Sequence, residues 1–305
     1  MPSSDVPQED TVQAKLPQAV AVQLGAALVQ SLAETLQVRA LILKGSAATI
    51  HGFRPVLQSS DVDVLLSRAD AGRLMGALEG RGWRRRRTAP APRQFELHSE
   101  TLFHPEWPCD IDIHWRYPGL FAEPEVVLDR LWETSMTAPV AGRDVRMTDA
   151  TGTALILAVH ALRDPNRPRS ETDLAAVATR LEDPAFARRF RDEVVRLRAQ
   201  YPLRALFARS GETPPGHDLT PGERGNWDLE VESSGSTTLH WYVAFVSAPL
   251  RRKPRLVLSL ARALLLALTA SRAGYPNGGT PASRKLREAL TEIGRLRRAR
   301  ARGVE

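Results

Sequence analysis

The chain has 305 residues, which is long enough for one large folded domain or two smaller ones. Hydrophobic residues make up 43% of it and charged residues 25%, and the one cysteine, Cys109, excludes an internal disulfide and a metal cluster held by cysteines alone. The formal net charge of +7, with basic clusters at 81–87, 251–255 and 284–302, is compatible with anionic partners such as nucleotides, nucleic acid or acidic lipid.

Residues 1–17 lack the basic start and the apolar run of a signal peptide, so we expect a flexible leader here. No window reaches the ~18 uncharged apolar residues of a membrane-spanning helix. The nearest stretch, 256–270, is interrupted by Arg262 and is more typical of a buried helix. With its single cysteine, the sequence predicts a cytoplasmic protein without a transmembrane segment.

Residues 18–148 predict an α+β domain with a small mixed β-sheet and helices on one face. An amphipathic helix over 18–37 comes first, and a second helical pattern over 68–82 ends at a glycine. Short apolar runs bounded by turn residues predict the strands, at 38–43, 62–66, 94–103, 109–115 and 143–147.

From Asp149 onward the apolar residues recur with the helical period of about 3.6. This pattern predicts an α-helical domain over 149–300, with Thr148 or Asp149 as the N-cap of its first helix. Residues 210–236 are rich in Gly, Pro, Ser and Glu and predict a loop, and a strongly basic helix is expected from about 282.

Two aspartates, Asp61 and Asp63, are separated by a single residue. Asp61 directly precedes the predicted strand at 62–66, and Asp63 lies within it. Side chains two residues apart face the same side of a strand, so the carboxylates of Asp61 and Asp63 point together while Val62 and Val64 point to the core. Such carboxylates repel each other, and a divalent cation with a preference for oxygen, such as Mg²⁺, removes the repulsion. Alone, the pattern is equally typical of a solvent-facing edge strand.

Two further features favour a metal site that works on phosphates. The turn Lys44-Gly45-Ser46 follows an apolar strand, and glycine lets the backbone approach a phosphate closely while Ser46 or a backbone N–H donates to it. A later strand, "CDIDIHW", carries three polar side chains on one face: Asp110, Asp112 and His114. A third carboxylate beside the first two would allow a two-metal arrangement for phosphoryl chemistry.

The motifs "LKGSA", "SSDVDVLL" and "IDIHW", in this order, resemble those of the DNA polymerase β-like nucleotidyltransferase superfamily. They are most similar to a bacterial branch whose members read roughly Lys-Gly-Ala, Asp-Ile-Asp-Leu and Asp-Leu-His-Trp. The resemblance covers about residues 38–116, and "AVHALRD…TDLAAVAT" is similar to the helical region of that branch.

The resemblance implies roles for five residues. Gly45 and Ser46 match the turn that binds the nucleotide phosphates, and Asp61 and Asp63 match the metal-binding pair. Asp112 matches the third carboxylate, which in such enzymes binds metal or acts as the base on the acceptor hydroxyl. The set Asp61, Asp63 and Asp112 is therefore expected to be both catalytic and metal-binding.

Lys44 and His114 occupy positions typical of the branch, but the resemblance leaves their roles open. Lys44 is a candidate to neutralise a phosphate, and His114 is a candidate to orient Asp112 or the acceptor. Glu96 and Asp110 are alternatives for the third carboxylate.

Branch members usually carry an arginine a few residues before the Asp-x-Asp motif, where this chain reads "VLQSSD", and Arg54 is the arginine nearby. Structural roles are expected for the other polar residues considered. His98 and His104 are expected at the surface, His160 is expected to pack within a helix bundle, and Asp173 is expected to be a cap or a charge partner.

The resemblance implies transfer of a nucleoside monophosphate from an NTP, ATP being the most expected, to a hydroxyl or phosphate acceptor with release of pyrophosphate. Two Mg²⁺ ions are expected as cofactors. The acceptor, a small molecule, a peptide or another molecule, is left open. The alternative is a catalytically inactive transferase fold that binds nucleic acid or an acidic surface through its arginine clusters.

Overall fold

The computed structural model describes residues 16–55, 59–86 and 97–232, with the separate positions 245, 251, 253, 254 and 256–258. Most of the expected leader, nearly all of the expected helix at 256–270 and the basic helix from about 282 lie outside the described residues, as does Glu96.

The helices of the described chain are α1 (Gln18–Leu36), α2 (Ser46–Ile50), α3 (Arg68–Glu79), α4 (Pro124–Glu133), α5 (Ala150–Arg163), α6 (Pro168–Leu181), α7 (Pro184–Arg196), α8 (Arg204–Arg209) and α9 (Pro221–Glu232). The strands are β1 (Leu41–Ile42), β2 (Asp61–Leu65), β3 (Arg84–Arg85), β4 (Ser99–Phe103), β5 (Asp110–His114), β6 (Met136–Val140) and β7 (Arg143–Met147). Within the described chain they form one mixed sheet in the order β3-β4-β5-β2-β1-β7-β6.

Each of the five predicted strands corresponds to an observed strand. β3 and β6 were not predicted, for different reasons. β3 consists of two exposed arginines, which show no apolar alternation, and β6 lies at the edge of the sheet and contains Pro139.

The helix α9 corrects the prediction of a loop over 210–236. It begins after Thr220, whose hydroxyl accepts from the Glu223 N–H while the Glu223 carboxylate accepts from the Thr220 N–H, a capping box visible in the sequence.

Helices cover the first face of the sheet, which is apolar. Val62, Val64, Ile111 and Ile113 are buried there in one cluster with residues of α1 and α3. Among the described residues only α1 is long and apolar enough to cross a bilayer, and its buried face contacts β2, β6 and β7, which accounts for its apolar character. The predicted class, a mixed sheet with helices on one face followed by a helical region, is confirmed.

The second face of the sheet meets the helical region. Leu41, Leu43 and Leu65 are buried in the same apolar cluster as residues of α4 through α8. The helix α5 is buried along nearly its whole length, and its N-cap is Asp149, whose side chain accepts a hydrogen bond from the Gly152 N–H at 2.8 Å. The predicted boundary at 148/149 coincides with the start of α5, and the division into two domains stays a prediction.

Two polar contacts join the segment after β1 to the helical region. Arg54 forms a two-pronged ion pair with Asp173 of α6, with Nε to Oδ1 at 2.8 Å and Nη2 to Oδ2 at 2.5 Å. The His51 Nε2 lies 2.9 Å from the backbone oxygen of Thr148, directly before the N-cap of α5. These contacts fix α2, and the turn that precedes it, against the helices.

Candidate active site

The register of two neighbouring strands brings the acidic residues together. β2 and β5 run parallel, with Asp61 opposite Asp110 and Asp63 opposite Asp112. Side chains of directly paired residues stand on the same face, so the aspartates form a row across two strands on the face away from α1 and α3. Oxygen atoms of Asp63 and Asp112 and a ring nitrogen of His114 lie within 4.8 Å of one another.

Asp63 is the buried member of this row, with a relative exposure of 2%. Its Oδ1 receives two donors, the Lys44 Nζ at 2.9 Å and the His114 Nε2–H at 3.0 Å. Burial alone would raise the pKa of Asp63, but the positive charge of Lys44 and the hydrogen bond from His114 outweigh burial and lower it. Asp63 is therefore ionised in the folded protein.

Asp61 and Asp112 are half-buried, and their pKa values shift in the direction opposite to that of Asp63. Burial, followed by the negative charge of Asp63, raises the pKa of both carboxyl groups above its ordinary value. A bound cation would favour the ionised form of both carboxyl groups.

Free carboxylate oxygens show where such a cation fits. Within the described chain, Asp63 Oδ2 and Asp112 Oδ1 are buried and have no hydrogen-bond partner. A buried charged oxygen without a donor is costly, and hard divalent cations such as Mg²⁺ prefer oxygen ligands of this kind. The donor set therefore fits a divalent metal ion held by Asp63 and Asp112, with Asp61 beside them.

The predicted phosphate turn lies next to the acidic row. Gly45 has φ +61°, a backbone conformation that is strained for other residues, and an added Cβ would also be tight against the Ser59 Oγ at 3.1 Å. Gly45 and Ser46 line an open cavity of about 140 Å³ between α1, α2 and the β6–β7 turn. The lining of this cavity includes Ser59 but none of the three aspartates Asp61, Asp63 and Asp112.

The cations near the site are engaged with carboxylates. Lys44 is buried and its ammonium group contacts Asp63; burial alone would lower its pKa, but the negative charges of Asp63 and Asp61 raise it. Arg54, the arginine nearest to the Asp-x-Asp motif, is paired with Asp173, which is thus the charge partner that the sequence analysis considered.

The remaining candidates have structural partners. Both oxygens of Asp110 accept from the Arg86 Nη2, at 2.6 and 2.7 Å, at the outer end of β5. His98 stacks on His114 with ring centroids 6.2 Å apart. The half-buried His104 packs against two tryptophans, Trp83 and Trp107.

Among the residues described, His160, expected from the sequence to be a packing residue, has a buried polar atom without a hydrogen-bond partner, as do Tyr117 and Arg163, which the sequence did not single out. These atoms are His160 Nδ1, Tyr117 Oη and Arg163 Nη1. The ring centroids of Tyr117 and His114 are 5.6 Å apart. The positive charge of Lys44, followed by burial, lowers the pKa of His160. His160 and Arg163 are three residues apart on α5 and so share a helix face, a spacing that could have identified them.

Comparison with protein families gives one match, to a family described as "Uncharacterised nucleotidyltransferase", over residues 8–212. A comparison with curated protein sequences gives no match. The family match covers the acidic row, the glycine turn and the helices α5 to α8.

Several solved structures are similar to this chain. An antigenic nucleotidyltransferase-like protein from Paracoccidioides brasiliensis is 12% identical, with 66% of this chain and 97% of that chain covered and a TM-score of 0.38. The antibiotic-resistance factor ANT(2'')-Ia in complex with adenylyl-2''-tobramycin is 16% identical, with 56% and 98% covered and a TM-score of 0.38. A tRNA-processing enzyme is 14% identical, with 83% and 59% covered and a TM-score of 0.28.

Proposed function

The chain belongs to the nucleotidyltransferase family that matches residues 8–212, and on this premise we propose that it transfers a nucleoside monophosphate from an NTP to a hydroxyl or phosphate acceptor, releasing pyrophosphate. The proposed cofactor is Mg²⁺, and the proposed donor of the nucleoside monophosphate is ATP. The proposed location is the cytoplasm. The observation that carries the proposal is the pairing of Asp63 with Asp112 in register, each with a buried oxygen that lacks a donor in the described structure.

Each residue has a proposed part in this reaction. Asp61, Asp63 and Asp112 would hold the metal, which when bound neutralises charge on the triphosphate and on the carboxylates. Gly45 and Ser46 would receive the phosphates at the mouth of the cavity that they line, through backbone N–H groups of the turn and the Ser46 hydroxyl.

Asp112 is the proposed base on the acceptor hydroxyl. Its pKa is raised by burial and by Asp63, so its carboxylate has a higher proton affinity than an ordinary aspartate. His114 would hold Asp63 in place through the hydrogen bond between them. In this scheme catalysis consists mainly of positioning and charge neutralisation.

The test compares two aspartates of β5 in the presence of the four NTPs and Mg²⁺. Thermal unfolding of the wild-type protein should shift upward with an NTP only when Mg²⁺ is present, because a ligand that binds only the folded state stabilises it by ~2.7 kcal/mol at a hundred times its Kd. Asp112→Asn should abolish this shift. Asp110→Asn is the matched control, since Asp110 lies on the same strand and face but pairs with Arg86, and it should retain the shift.

Equal shifts in the Asp112→Asn variant and the wild type would refute the assignment of Asp112. Binding of nucleic acid that needs no metal and weakens steeply with salt would instead favour the inactive, arginine-dependent binding module.

A further inference from the structure

A lysine ammonium group lies inside the proposed metal site. The Lys44 side chain is 8% exposed and that of Asp63 is 2% exposed, and the Nζ to Oδ1 distance is 2.9 Å. Lys44 directly precedes Gly45, and the backbone N–H of the residue before it, Leu43, donates to the backbone oxygen of Asp63 at 3.0 Å. The backbone thus fixes the start of the lysine side chain beside the strand that carries Asp63.

The oxygens of Asp63 are divided between two kinds of partner. Oδ1 is used by Lys44 and by His114, whereas Oδ2 has no partner among the residues described. The matching free oxygen across the strand pair is Oδ1 of Asp112. The two residues are directly paired, and one carboxylate oxygen of each lies within 4.8 Å of the other, a separation that a single ion can bridge; Asp61 lies two residues from Asp63 on the same strand.

The charges of the site also favour one ion. When ionised, Asp61, Asp63 and Asp112 carry three negative charges, and Lys44 carries one positive charge. The site then has two negative charges in excess, which a single divalent cation neutralises. A second divalent cation at Oδ1 of Asp63 would have to approach a buried ammonium group already at hydrogen-bond distance from that oxygen, and like charges in a buried site repel strongly.

We infer that Lys44 takes the place of one of the two expected metal ions, so that this site binds a single divalent cation, between Asp63 Oδ2 and Asp112 Oδ1. The inference rests on the proposed function, because it concerns the same metal site. It also changes the role considered for Lys44, from a phosphate contact to a resident cation of the acidic row.

The number of bound Mn²⁺ ions tests this inference without any activity measurement. Free Mn²⁺ is counted by electron paramagnetic resonance as the ion is titrated into the full-length protein without nucleotide. The wild type should bind one ion. Lys44→Met should bind two, and its first ion should bind at least about tenfold more tightly, because a like charge has been removed.

Two further variants serve as controls. Lys44→Arg keeps the positive charge and should bind one ion, and Lys253→Met removes a lysine whose ammonium lies over Phe245, outside the site, and should also bind one. Circular dichroism of each variant checks folding, and if Lys44→Met does not fold, the wild-type count still decides.

Two ions in the wild type, or one ion of unchanged affinity in a folded Lys44→Met variant, would overturn the inference and leave the proposed function intact. No bound ion in either protein would remove the metal site itself, and the proposed function would fall with the inference.

Discussion

Removing one partner of the Arg54–Asp173 ion pair should destabilise the protein strongly. The side chains are 8% and 2% exposed and meet through two hydrogen bonds, so Arg54→Met leaves the Asp173 carboxylate buried without its partner. Breaking a buried pair from one side costs about 3–5 kcal/mol, a large part of the ~5–15 kcal/mol by which folded domains are stable. We expect a loss in this range in urea unfolding followed by tryptophan fluorescence.

A matched control and a double variant separate the pair from the arginine itself. Arg73→Met breaks an exposed pair with Asp70, whose side chains are 53% and 26% exposed, and should cost less than ~1 kcal/mol. The double variant Arg54→Met/Asp173→Leu replaces both charges by apolar groups and should recover most of the loss. A loss below ~1 kcal/mol for Arg54→Met, or a double variant no more stable than the single one, would refute the reasoning.

Three other predictions concern packing, reactivity and capping. Gly119→Ala should lower the midpoint of thermal unfolding by several degrees, because φ is +92° and a Cβ would lie 2.4 Å from Val159. Gly142→Ala, with φ +76° and nothing within 4 Å of the added Cβ, should lower it less. Equal losses for the two variants in thermal melts would contradict this. Burial, followed by nearby carboxylates, raises the pKa of Cys109 to about 11. Its reaction with a disulfide reagent should therefore be slow at pH 8, where about one thiol in a thousand is ionised, and should accelerate about tenfold per pH unit. Rapid stoichiometric labelling of the native protein would disprove this. Asp149→Ala removes the N-cap of α5 and should cost ~1 kcal/mol in urea unfolding, and an unchanged midpoint would show that the cap is dispensable.

The alternation of residues predicted the part of the site that lies within strands. Because strands have a period of two, the sequence was sufficient to place Asp61 and Asp63 on one face, and Asp112 and His114 on one face of another strand. The resemblance implied that Asp112 joins the first pair, but the parallel pairing of the two strands, with Asp63 opposite Asp112, was not predicted and is visible only in the register. The catalytic roles of these residues stay predictions.

Contacts between distant residues could not be predicted from the sequence. Arg54 and Asp173 are 119 positions apart, and no local pattern indicates that they pair. The role of Lys44 was left open, with a phosphate contact as one candidate, because a lysine before a glycine turn has no local sign of being buried against Asp63. Tyr117 was overlooked because a tyrosine two residues after a strand is usually a packing residue, whereas here its hydroxyl is buried beside the acidic row.

The shared core has a consequence for engineering. Leu41, Leu43 and Leu65 are embedded among the side chains of α4 through α8, and His51 and Arg54 reach across to Thr148 and Asp173. A chimaera that exchanges only the helices after residue 148 for those of a relative would mismatch both the leucine contacts and the ion pair. Exchanging the helical region between members of the family would therefore require grafting the matching surface of β1, β2 and α2 together with the helices.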